Sequence, residues 1–330
     1  MVHEIKHVSA KKIAEDVVIR EAKGFTDPAF INGNLALCEN EIAFFKANGF
    51  LLKRGFLDEK KAFDRIVDYV WENVPRKIFT REDRQSWVGA PGEQWTEEDS
   101  IQVGQIQGSS WKMRSRDGIG TEPFLLDKIA NHPRMLEQVA LFIGKPVKLA
   151  KRARGVYAQF PKQPGTDGSL FPHADYTAGQ MAAMVFVDEI PQRCGGFTVW
   201  PGSHLHLHPF WDTVQSGSIS SESAAAEYAK ARDTALNDIT PLEFSGKAGD
   251  VLFWHPRLLH SAGINHSAEH DRQILRLIVP CDYQLDGLDF FDDPIHGPGP
   301  NHQWWVDTRH FNGDTPTTPE NIWEGWAFGT

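Results

Sequence analysis

DVLFWHPRLLHSAGINHSAEHDRQILRLIV, residues 250–279, is the stretch that decides the fold. Two short apolar runs, 251–254 and 274–279, are separated by Pro, Gly, Asn and charged residues with no helical pattern between them, so both read as strands. The same texture continues upstream in KLAKRARGVYAQF (148–160), QMAAMVFVD (180–188) and GFTVWPG (196–202). Successive strands without intervening helices indicate an antiparallel sandwich or barrel. One interruption breaks the series. SSESAAAEYAKARDTALN, 220–237, is alanine-rich and charged, with serines able to cap its start, and predicts a helical excursion over one face.

The chain before residue 145 has a different character. CENEIAFFKANGF, 38–50, places Ile42, Phe45 and Lys46 at helical spacing and stops at Asn48-Gly49, with an extended segment expected over 50–53. Asp58 is the expected N-cap of a second helix, whose apolar stripe is Ala62, Phe63, Ile66, Val67, Val70 and Trp71. A third helix is expected to start at Asn131-His132-Pro133 and to bury Leu136, Val139, Ala140 and Ile143. Residues 76–125, rich in Gly, Ser, Trp and charge, read as irregular cover. The first thirty residues read as peripheral, and the tail from 282 as an irregular wrap whose aromatics, including Trp304, Trp305, Trp323 and Trp326, cover a core. With no repeat or linker, a single domain over 1–330 is the simplest partition: a helical and irregular segment over 1–145, a β core over 146–281 with its insertion near 212–243, and the tail 282–330.

The 330 residues are 41% hydrophobic and 24% charged, with a net charge of −10, which suits a globular protein and argues against general nucleic-acid binding. Cys38, Cys194 and Cys281 are widely separated, so neither a disulfide framework nor a thiolate zinc site is expected. No apolar run approaches the length needed to cross a bilayer. A cytoplasmic protein, monomer or homodimer, acting on a small molecule without nucleic acid or membrane, is the resulting expectation.

LFPHADYTAG, 170–179, sets His173 and Asp175 two positions apart, which on extended backbone turns both side chains to one side. An imidazole and a carboxylate with a second distant histidine form a two-His, one-carboxylate facial set, the geometry of non-haem Fe(II) oxygenases. His260, at the end of an apolar run and before a small-residue turn, is the best third ligand. Arg272 can hold a dicarboxylate through paired charge-assisted hydrogen bonds, as a keto-acid cosubstrate requires. Arg276 shares its face under strand alternation and is the rival; spacing favours Arg272. His204, His206 and His208 alternate and could present three imidazoles along one strand, the competing zinc-hydrolase or metal-storage reading.

HxD at 173–175, CGGFTVWPGSH at 194–204, AGDVLFWH at 248–255 and HSAGIN followed by Arg272 together resemble the phytanoyl-CoA dioxygenase family, in the same order, and FFKANGFLLKRGFL at 44–57 resembles its opening segment. The resemblance spans roughly residues 40–280. It implies a mainly β fold with flanking helices, a double-stranded β-helix of the jelly-roll, cupin-like kind. It also implies Fe(II) held by His173, Asp175 and His260, 2-oxoglutarate held by Arg272, and O2 as oxidant. The spacing from His260 to Arg272 is one residue longer than in many members, which keeps Arg276 in play. Gln159 and Tyr157 resemble positions lining the cosubstrate pocket. Related halogenases replace the carboxylate by Gly or Ala, so Asp175 argues against halogenation. The expected activity is oxidation, by default hydroxylation, of a small metabolite or natural-product intermediate with release of succinate and CO2; a non-catalytic cupin-like binding protein is the alternative. There is no evident basic cluster for the phosphates of CoA. Residues 76–125 and 212–243 are the expected pocket cover.

Overall fold

The computed structural model describes residues 13–14, 20–21, 33–89, 94–114, 118–175, 179–210, 222–270, 272–286 and 317–329. Its strands are β1 (Ile13–Ala14), β2 (Arg20–Glu21), β3 (Phe50–Lys53), β4 (Gly104–Gln107), β5 (Ser110–Met113), β6 (Val156–Gln159), β7 (Ser169–Leu170), β8 (Met181–Phe186), β9 (Phe197–Val199), β10 (Leu242–Glu243), β11 (Val251–Trp254), β12 (His260–Ala262) and β13 (Arg276–Tyr283). The main helices are α1 (Glu39–Asn48), α2 (Lys60–Glu72), α3 (Glu97–Val103), α4 (Pro133–Ile143), α5 (Ser203–Leu207) and α6 (Glu222–Asp238).

Two sheets carry the fold. One has seven strands in the order β3-β11-β8-β13-β6-β5-β4, the other four in the order β12-β9-β10-β2. Neighbours run antiparallel except β10 with β2. This is the mainly antiparallel jelly roll with flanking helices that the sequence predicts.

Strand alternation explains how the layers separate. Along β13, Leu277, Val279, Cys281 and Tyr283 point to the helical side, while Ile278 points to the space between the sheets. Ala182, Met184 and Phe186 of β8 and Leu252 and Trp254 of β11 meet Phe197 and Val199 of β9 in that inner core. Phe63, Ile66 and Val70 of α2 pack on the outer face of the large sheet; burying each contributes about 2 kcal/mol. The helical excursion over the small sheet is α6, whose Tyr228, Ala235 and Leu236 pack with Trp200 and Leu259.

Several boundaries differ from expectation for identifiable reasons. Glu59, not Asp58, precedes α2, and its side chain makes no capping bond. Residues 76–125 are not wholly irregular: α3 starts in a Thr96/Asp99 capping box, and β4 and β5 extend the large sheet, with Trp111 and Met113 fully buried. Residues 204–208 are helical rather than extended, because Gly202 turns the chain at φ 82 and α5 then folds back on α6. Of the tail, 317–329 wraps as expected, with Trp323 and Trp326 against Phe45; Trp304 and Trp305 lie outside the described residues.

The short motifs that sign the fold are mostly structural. Asp250 accepts from Gly55 N at 2.7 Å, Lys247 N at 2.9 Å and Arg54 Nη1 at 2.7 Å, pinning the turn before β11. Ser203 Oγ accepts from Leu259 N at 2.8 Å, holding the strand that leads to His260. A Cβ at Gly196 would come within 2.0 Å of Phe244 O, so only glycine admits the close passage of β9 beside β10.

Candidate metal centre

His173 and His260 are tied to each other through the main chain. His173 N donates to His260 O and His260 N to His173 O, both at 2.9 Å, and Asp175 N donates to Pro256 O at 3.0 Å. These bonds hold the 173–175 segment extended beside β12, which is why the i, i+2 spacing brings imidazole and carboxylate to one side. His260 starts β12 opposite Val199, and its ring sits 5.1 Å from that of Phe197 and 5.7 Å from that of Trp254.

Both rings are held in one tautomer. Nδ1 of His173 lies 2.8 Å from Phe171 O, and Nδ1 of His260 lies 2.9 Å from Leu258 O. A carbonyl only accepts, so each Nδ1 carries the proton and each Nε2 keeps its lone pair. His173 Nε2 is 3.8 Å from Asp175 Oδ1, and His260 Nε2 is 3.5 Å from Asp175 Oδ2. Adjacent ligands of an octahedral divalent ion with bonds of about 2.1 Å stand about 3 Å apart, so a small closure seats a cation among them. Among the described residues, this is the group of His, Cys, Asp or Glu found converging on one point.

The electrostatics favour a cation. Burial and the neighbouring His260 bring the His173 pKa down to about 4, and burial lowers that of His260, so both rings are neutral at pH 7. Burial pushes Asp175 upward, but Arg154 and the two imidazoles outweigh it and hold the carboxyl well below its ordinary range. Arg154 Nη1 donates to Asp175 Oδ2 at 3.1 Å, while the rest of its guanidinium makes a two-pronged pair with Asp282. Lys112 of β5, half-buried, has its Nζ 5.9 Å from the Tyr157 ring centroid and lowers the basicity of both histidines. Sequence reading identified neither Arg154 nor Lys112. The KRAR run offers no hint that one member meets an aspartate 128 positions away, and Lys112 sits in a segment read as irregular.

The remaining expected site residues divide. Arg276 faces Gln159 across the β13–β6 ladder, and Tyr157 and Gln159 share one face of β6. Arg276 is 2% exposed; its Nε donates to Gly195 O at 2.7 Å and its Nη1 to Tyr157 O at 3.3 Å, and no described carboxylate comes within ion-pair distance. Burial lowers its pKa to about 9, with Glu243 opposing, so it is a cation at pH 7. Gln159 contacts Ser109 and Ser110, and the Tyr157 hydroxyl accepts from Arg114 at 3.2 Å. Arg272 lies before the strand, its side chain 55% exposed and 3.3 Å from Glu189 Oε2. Strand alternation therefore does not put the two arginines on one face.

The three alternating histidines do not share a face either, since they lie on a helix. His204 is buried with Nε2 3.1 Å from Lys46 O, His206 is exposed, and His208 Nε2 meets Asn321 Oδ1 at 2.7 Å. Cys194 and Cys281 are buried thiols with pKa values raised by burial to about 11 and about 12, and all three cysteines are free. No described helix is long and apolar enough to cross a membrane.

The chain is similar to known proteins. The family model described as phytanoyl-CoA dioxygenase matches residues 45–274. No curated protein matches the sequence. Similar solved structures include the non-haem α-ketoglutarate-dependent epimerase SnoN from nogalamycin biosynthesis, 21% identical over 86% of this chain and 98% of its own, with a TM-score of 0.41. The carbocyclase SnoK from the same biosynthesis is 18% identical over 86% and 93%, TM-score 0.44, and EctD from S. alaskensis is 13% identical over 92% and 96%, TM-score 0.46. Matched from the first core helix to the approach of the last long strand, the chain belongs to the phytanoyl-CoA dioxygenase family, enzymes that use Fe(II), 2-oxoglutarate and O2.

Proposed function

We propose that this enzyme hydroxylates a small organic metabolite or natural-product intermediate, with His173, Asp175 and His260 as the protein ligands of its iron. The observation that carries this reading is the convergence of two Nε2 lone pairs and one carboxylate in a tautomer-fixed set, with His260 buried, Asp175 half-buried and His173 open on one side. When bound there, Fe(II) with 2-oxoglutarate and O2 supplies the oxidant, and the balance is substrate C–H plus 2-oxoglutarate plus O2 to alcohol, succinate and CO2.

The chain's own contributions are distinct. His173 and His260 remain neutral donors because their Nδ1 protons are committed to backbone carbonyls. Arg276 is the proposed anchor for the distal carboxylate of 2-oxoglutarate, in preference to Arg272. A buried cation that no described carboxylate pairs with at ion-pair distance is costly unless an anion joins it, whereas Arg272 is exposed and already paired. Tyr157 and Gln159 line the same inner face, and Tyr157 O and Gly195 O orient the guanidinium. With Asp175 present the ligand set has no gap for a halide, in keeping with oxygenation. The free cysteines fit the cytoplasm, and a single catalytic domain acting as monomer or homodimer is the accompanying proposal.

Anaerobic titration of the protein with Fe(II) and then 2-oxoglutarate tests the reading. A visible charge-transfer absorption should develop with one equivalent of each. Bound iron without that absorption would overturn it. Substrate screening then follows succinate release and the mass gain of one oxygen in the product.

A further inference from the structure

Arg154 joins the proposed ligand Asp175 to a second buried aspartate, Asp282, from the far end of β13. The side chains of Arg154, Asp175 and Asp282 are only 10%, 15% and 5% exposed. Arg154 Nη1 donates to Asp175 Oδ2 at 3.1 Å, and its Nε and Nη2 edge pairs with both oxygens of Asp282. Each carboxylate oxygen faces one imidazole, Oδ1 towards His173 Nε2 at 3.8 Å and Oδ2 towards His260 Nε2 at 3.5 Å, but Oδ1 takes no hydrogen bond from any described residue. One oxygen of this carboxylate is therefore held by a guanidinium that is itself braced, and the other is held by no hydrogen bond from the described residues.

We infer that Arg154 is a positioning residue which makes Asp175 a one-oxygen ligand and so preserves a coordination position for the oxidant. The inference rests on the proposed ligand set and adds a role to a residue outside it. Its chemical basis is a count. On an octahedral ion, two imidazoles and one carboxylate oxygen would fill three of six positions and a chelating keto acid two more, which would leave one open. A carboxylate that bound through both oxygens would take that last position. The hydrogen bond to Oδ2 opposes this, because chelation would carry Oδ2 towards the metal and break a charge-assisted contact. Asp282 serves as the brace: it neutralises the guanidinium and fixes its plane, so that Nη1 cannot follow the carboxylate as it rotates.

The test compares the parent protein with Arg154→Gln, Arg154→Lys and Asp282→Asn, all loaded anaerobically with Fe(II) and 2-oxoglutarate. Nitric oxide serves as the O2 surrogate, read by the electron paramagnetic resonance signal of its iron complex. In Arg154→Gln, iron and 2-oxoglutarate should still bind, with the nitric oxide signal reduced at least ~10-fold, the scale of second-sphere effects at metal sites. Arg154→Lys should restore some of the signal, since an ammonium can still engage Oδ2, and Asp282→Asn should lie between. An Arg154→Gln protein that binds nitric oxide like the parent overturns the inference while leaving the iron reading intact. If Arg154→Gln does not fold, Asp282→Asn decides alone: an unchanged signal overturns the inference, a reduced one supports it. A parent protein that takes up no iron overturns both.

Discussion

Two pairs of neighbouring histidines sit in this barrel, and among the described residues only one pair converges with a carboxylate on a point that could hold a metal. The rings of His173 and His260 are 4.4 Å apart between centroids, and those of His204 and His255 are 5.3 Å apart. Both pairs are rendered neutral by burial. The difference lies in what surrounds them. The first pair has both Nδ1 atoms satisfied by carbonyls, and Asp175 stands between the free nitrogens. The second has no carboxylate joining it in a metal-ligating cluster among the described residues, and it is boxed by Trp323 and Trp326, the latter stacked on His255 at 5.4 Å and 16°. Histidine proximity alone is packing; a fixed tautomer and a partnered carboxylate convert it into chemistry.

The largest test of this contrast is Asp175→Ala, which should weaken Fe(II) binding more than ~100-fold and abolish turnover, exceeding the effect of losing a supporting residue. His204→Ala should leave iron stoichiometry unchanged while lowering the melting temperature; both are read by metal analysis and calorimetry. An Asp175→Ala protein that keeps its iron would remove the carboxylate from the distinction.

Next in size is the cosubstrate anchor. Arg276→Ala should raise the 2-oxoglutarate requirement by about 2–4 kcal/mol, or ~30- to 1000-fold, as expected for truncating a buried charge partner. Arg272→Ala should change it less than ~3-fold, since its contact with Glu189 is exposed. Steady-state kinetics with varied 2-oxoglutarate separates the two, and the reverse ranking would restore Arg272 as the anchor.

The second histidine pair should declare itself through pH. Burial lowers the His204 pKa from 6.5 to about 3 and that of His255 well below 6.5. The unfolded chain therefore binds more protons than the native one in that range, and stability rises with pH there. The contribution is complete above about pH 6.5 and is lost as pH falls towards 3, on the order of 5 kcal/mol for His204. Tryptophan fluorescence during acid titration should report release of Trp323 and Trp326, and His204→Gln should flatten the profile. A profile identical in the variant would locate the acid sensitivity elsewhere.

What could be read in the sequence follows a physical rule. The convergence of His173 and Asp175 was legible because a two-residue spacing on extended backbone is a local property, and that of His260 because it ends an apolar run beside a small-residue turn. The helix over 220–237 was legible from its alanines, and α6 spans Glu222–Asp238. Arg154 was not, since its meaning depends on Asp175 and on Asp282, brought beside it only when β13 enters the sheet. Leu-His-Leu-His at 205–208 alternates like a strand, yet the Gly202 turn and packing on α6 make it helical. Whether Arg272 and Arg276 share a strand face turned on where β13 begins, a boundary that tertiary pairing with Gln159 decides rather than local pattern.

The reciprocal backbone hydrogen bonds between His173 and His260 have a further consequence. They make the separation of the two proposed ligands a property of the main chain, which every side chain shares. Side-chain substitutions elsewhere in the chain therefore need not alter the spacing of the two imidazoles. Spacing carried by the main chain is insulated from changes in side chains around it.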